Sequence, residues 1–169
     1  MRRLFPALAL LLAACNPAFN WRDIHLGDTG LAALLPCKPD RALRSVPLAG
    51  RQVELQMLGC EAGGATFAVA VAPMGEVVLA GSALAQWQAA TLANMRAGAP
   101  QVRPLSVPGA DAQPSAVRLS AAGRRADGSA VTVQAAWFAR GARVFHAVMY
   151  ADKPDPAAAE TFFSGLRLP

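Results

Sequence analysis

The chain has 169 residues, the length of one ordinary domain, with 16 Lys+Arg against 11 Asp+Glu and a formal net charge of +5. Hydrophobic residues make up 54% and charged residues 16%, which excludes a disordered polyelectrolyte and supplies ample apolar surface for a core. Three Cys are too few for a disulfide-scaffold miniprotein, and no apolar run reaches the roughly 20 residues a spanning helix requires.

Met1-Arg2-Arg3 is a short positive segment, and Leu4 to Ala14 is an apolar run of Leu, Ala and Phe with one Pro, the order of a secretory signal. It ends in Leu12-Ala13-Ala14-Cys15, which resembles a bacterial lipobox. That resemblance implies cleavage after residue 14 and acylation of Cys15 as the first residue of the mature chain. Three acyl chains, at about 0.8 kcal/mol per buried CH₂, would anchor it essentially permanently. The alternative is an ordinary signal peptide with Cys15 a stray thiol. Arg2-Arg3-Leu4-Phe5 also resembles a twin-arginine signal, but two basic residues equally suit the general secretory route, which is preferred here. Asn16 after the acylated Cys resembles the pattern for delivery to the outer membrane of a Gram-negative envelope. Without residues 1–14 the chain carries 14 basic and 11 acidic residues, or +3, and its Arg residues are scattered. A nucleic-acid partner is therefore not expected; the expected partners are a membrane, through the lipid, and an envelope protein.

Residues 15–28 read as a lipidated tether, with Trp21 pinning it to a single domain at 29–169. Leu31 to Leu35 is a short apolar strand stopped by Pro36-Cys37-Lys38-Pro39. Arg41 to Pro47 reads as an edge strand. From Arg51 to Leu58, Val53, Leu55 and Met57 alternate with Gln52, Glu54 and Gln56, the cleanest period of two in the chain. Gly59 to Gly64 reads as a loop, and Thr66 to Ala72 as a returning strand with Phe67, Val69 and Val71 on one face. Ser82 is placed to cap a helix running to about Ala97, ended by Gly98 in a left-handed conformation. Pro100, Pro104, Pro108 and Pro114 then mark a loop-rich stretch. Ala116–Ala121, Ala130–Ala139 and Ala142–Tyr150 follow as strands, the last two joined by a tight turn at Arg140-Gly141. Asp155 starts a final helix through about Gly165, with Phe162 and Phe163 facing inward.

Four strands, a helix, three strands and a helix exclude a doubly wound parallel sheet. The order predicts an α+β fold, an antiparallel β-sheet of about six to seven strands with helices packed on it. Leu34-Leu35-Pro36-Cys37-Lys38-Pro39, the hairpin after it, and Ala159-Glu160-Thr161-Phe162-Phe163-Ser164-Gly165-Leu166-Arg167-Leu168 resemble the PsbP-like domains of photosystem accessory proteins and small envelope lipoproteins. The resemblance implies a binding or assembly accessory without catalysis.

Cys37 and Cys60 are an even pair once Cys15 is acylated, and in an oxidising periplasm a disulfide is the natural reading. In a simple meander, however, the ends of the first and third strands lie two spacings apart, about 9–10 Å, beyond the roughly 7 Å Cα limit of a bridge. The bond therefore requires loops that fold together, or strands that are neighbours. His25 and His146 have no ligand spacing between them, so no metal is expected, and no phosphate loop, dinucleotide fingerprint or nucleophile elbow occurs. His146 reads as a hydrogen-bonded residue of the sheet, Trp87 and Met95 as core, Arg41, Arg44 and Arg51 as solvated edge charges, and Asp152 and Asp155 as helix-entry caps. No catalytic residue and no cofactor is expected. The expectation is a non-catalytic accessory or binding module of the cell envelope, facing the periplasm from the outer membrane. The alternative is a carrier of a small apolar or lipid ligand, and the two are separated by whether an apolar pocket of a few hundred Å³ lies beneath Trp87.

Overall fold

A computed structural model describes residues 18–169, so the expected signal segment 1–14 and Cys15 lie outside the described residues. The strands are β1 (Arg22–His25), β2 (Ala32–Leu35), β3 (Asp40–Leu48), β4 (Arg51–Ala62), β5 (Ala65–Pro73), β6 (Gln101–Pro104), β7 (Val117–Arg124), β8 (Ala130–Arg140) and β9 (Arg143–Ala151). The helices are α1 (Ala80–Asn94), entered through a 3-10 turn at Val77–Leu79, and α2 (Pro156–Ser164). The fold is α+β, as expected: seven strands form one antiparallel sheet in the order β3-β4-β5-β9-β8-β7-β6, and β1 and β2 form a separate two-stranded sheet. Two meanders, β3-β4-β5 and β6-β7-β8-β9, thus meet at the central β5–β9 pair, where Ala70 faces His146.

The sheet separates two apolar layers. On one face Phe67, Val69 and Val71 of β5 and Phe145, Ala147 and Met149 of β9 pack under Phe162 and Phe163 of α2 and Leu35 of β2. Phe67 meets Phe162 edge to face at 5.4 Å between ring centres. Each such fully buried large side chain contributes roughly 1.5–3 kcal/mol. On the opposite face Val53, Leu55, Ala72, Val144 and Trp137 pack under Ala80, Ala83 and Leu84 of α1.

Several boundaries differ from the sequence reading for local reasons. The strand at Leu31–Leu35 leaves the main sheet: it pairs with β1, inside the expected tether, and Ala32 exchanges backbone hydrogen bonds with Arg167. Residues 59–62 continue β4 in register with β5, because the two-residue turn needs only Gly63 and Gly64, at φ 57° and 74°. A short edge strand, β6, lies within the proline-rich stretch, since Pro104 stands at a sheet edge where its missing donor costs no ladder bond. Ser82 does not cap α1. The helix begins at Ala80 behind the 3-10 turn, and the Ser82 hydroxyl donates to the Leu79 carbonyl. Arg96, not Gly98, takes the left-handed conformation after α1. The last hairpin turns at Gly141-Ala142, one residue later than expected, with the positive φ at Gly141. Asp155 caps α2 as expected, its carboxylate accepting from the Ala157 and Ala158 amides.

Candidate functional site

Cys37 and Cys60 form a disulfide with 6.0 Å between their Cα atoms. The distance objection is removed by topology. Because β2 is not a strand of the main sheet, Cys37 belongs to the lead-in of β3, and β3 is the direct neighbour of β4, with Asp40 opposite Gly59. The bridge sews this lead-in to the adjacent strand. Trp21 meets Phe67 edge to face at 6.1 Å, and Phe19 lies against both rings, so this aromatic cluster secures the segment before β1.

A predominantly apolar concavity lies on the α1 face. The first half of α1 is flush with the sheet, since small Ala80 and Ala83 allow close approach and Leu84 is fully buried. The helix is tied at its middle to the β3–β4 turn, where the Ala49 amide donates to Gln86 Oε1, and at its end to β7, where the Arg124 amide donates to the Met95 carbonyl at 2.7 Å. That diagonal leaves the central parts of β4 and β5 uncovered. Where Ala68 and Ala70 stand beside Met57 on β4 and Val148 on β9, the small side chains form a trough. The resulting groove has a volume of about 410 Å³, with Trp87 and Met95 on its α1 wall. Trp87 and Met95, expected in the core, are half-buried here.

His146 lies at the base of this groove and is 7% exposed. It makes no hydrogen bond through Nε2, contrary to the expected partner in the sheet; its ring instead stacks on Trp137 at 4.8 Å and meets Trp87 at 5.1 Å. Burial pushes its pKa down to about 3, so the imidazole is neutral. Burial also raises the Tyr150 hydroxyl above its ordinary range. The groove lining includes neither Asp nor Glu, and Arg44 on β3 is its charged residue.

Several other charged residues have structural partners. Arg51 donates to the Met74 carbonyl and pairs with Glu76 at 2.9 Å. Asp152, rather than capping, pairs with Arg125 at 2.6 Å. His25 is exposed on β1. A smaller cleft of about 240 Å³ near the start of α2 contains Arg103 and Arg118, but Arg118 is already engaged by Glu160, by Gln134 and by the face of Phe163. Among the described residues, no helix is long and apolar enough to cross a membrane and no three His, Cys, Asp or Glu cluster as a metal site. No protein-family model matches the chain, and no curated protein gives a significant match.

The groove was only partly legible from sequence. The alternation of β5 marks Ala68 and Ala70 as one face, but the path of α1 that leaves that face open depends on contacts with the β3–β4 turn and β7.

Proposed function

We propose that this protein is a non-catalytic binding module of the cell envelope, held to a membrane through Cys15, that carries a small apolar ligand in the groove between α1 and the sheet. The observation that carries this reading is the cavity beneath Trp87, of about 410 Å³. It falls within the roughly 300–1,000 Å³ typical of small-molecule sites. Its walls are mainly apolar side chains, with few polar groups to fix orientation. The neutral state of His146 and the absence of a carboxylate from the lining favour binding over acid–base chemistry, which needs titratable groups positioned against one another. The envelope location rests on the Leu12-Ala13-Ala14-Cys15 motif, and the PsbP-like accessory role on the two quoted sequence motifs.

Filling the trough tests the binding role. An Ala68→Phe variant is expected to abolish enhancement of an environment-sensitive apolar dye that binds the wild-type chain, while unfolding at nearly the same urea concentration. Undiminished dye binding by a folded Ala68→Phe protein would remove the groove from consideration.

A further inference from the structure

The groove is elongated and unevenly charged. On β5 its floor runs from Ala70 through Ala68 to Thr66, about 13 Å at roughly 3.3 Å per residue. Arg44 enters from β3, whose register places it opposite Leu55, on the Ala70 side of that floor. Among the described residues Arg44 has no ion-pair partner, and no carboxylate in the groove lining competes for it. The far end, at Thr66 and Tyr150, carries hydroxyl groups, and its nearby charge is negative, the Thr66 hydroxyl donating to the Glu61 carboxylate at 3.4 Å.

We infer that the ligand is a single-chain amphiphile with a carboxylate head: its alkyl chain lies along Ala70 and Ala68 beneath Trp87, and its head pairs with Arg44. This deepens the proposed binding role and rests on it. The guanidinium presents a fork of donors that matches a carboxylate, whereas an alcohol of the same chain length offers no charge to pair. A rounded or branched apolar ligand would not use the length of the trough. A cationic amphiphile would meet Arg44 with no compensating acid in the lining.

The test compares decanoate with decan-1-ol by isothermal titration of the full chain at pH 7.5 and low salt, below the aggregation threshold of either compound. The wild-type chain is expected to bind decanoate two- to fivefold more tightly than the alcohol, the range of a solvent-accessible ion pair of up to about 1 kcal/mol. Arg44→Gln should erase that preference by weakening decanoate binding more than alcohol binding, and added salt should narrow the preference in the wild type. Equal binding of both compounds by the wild type, or a preference that survives in Arg44→Gln, overturns the assignment of the head group while the groove remains a binding site. Binding of neither compound overturns the proposed carrier role together with the inference.

Discussion

His146 illustrates how a residue's neighbours set its chemistry. On a strand of alternating side chains it faces α1, where Trp137 and Trp87 close over the imidazole and leave Nε2 without a partner. A buried polar atom left unpaired costs on the order of 1–3 kcal/mol. Protonation would cost more, which is why the pKa is depressed to about 3 from 6.5. Below pH 6.5 the unfolded chain takes up a proton that the folded chain refuses, so this residue's contribution to stability is complete above that pH. It is lost as the pH falls toward 3, with a limiting slope of about 1.4 kcal/mol per pH unit. Urea unfolding between pH 7 and pH 5 is expected to show this loss in the wild type and a flatter profile in His146→Phe. Parallel profiles would mean that the imidazole is protonated in the folded protein.

Among the elements, the lead-in to β3 depends most on a covalent constraint. Pro36, Lys38 and Pro39 flank Cys37, and the two prolines contribute no backbone N–H to hold the segment against the sheet. The disulfide to Cys60 closes a loop with a sequence separation of 23, worth about 3 kcal/mol in the chain-entropy treatment. A Cys37→Ala/Cys60→Ala double variant should lose stability by that amount in urea, with the largest rise in amide exchange at residues 36–40. A loss below about 1 kcal/mol would show that the β3–β4 ladder holds the lead-in unaided. At the same end of β4, Gly63 is confined twice. Its φ is positive, and an added Cβ would lie 2.5 Å from the Phe19 ring. Gly63→Ala should therefore destabilise the turn and dislodge the Phe19–Trp21 cluster, read as faster exchange of the Asn20 amide that bonds to the Pro36 carbonyl at 2.8 Å.

At the scale of the molecule, the disulfide and the Phe19 cluster lie around the β4–β5 end of the sheet, so the chain enters the domain there. The groove opens on the opposite sheet face from Phe67, Phe162 and α2. Acylation at Cys15 would place the lipid a few residues before Phe19, leaving the groove on the domain rather than in the anchor. Expressed in a Gram-negative host, the wild-type chain should incorporate labelled palmitate and enter the detergent phase, and Cys15→Ser should do neither. Equal partitioning of the two proteins would dismiss the anchor.

The α+β class, the strand alternation of 51–58 and 66–72, the inward Phe162 and Phe163 and the Asp155 cap could all be read from sequence, because each arises from local periodicity or from hydrogen bonds a few residues apart. The pairing of Cys37 with Cys60 could be anticipated by counting thiols, but whether they reach each other depended on β2 leaving the sheet, a long-range choice. Ser82 had the composition of a cap and Gly59 that of a loop, yet a preceding 3-10 turn and the β5 ladder overrode both. The groove is the most non-local feature. Its alanine floor is written in β5, but a trough exists only because α1 is tied to the β3–β4 turn at its middle and to β7 at its end, and those ties are set by packing across the whole sheet.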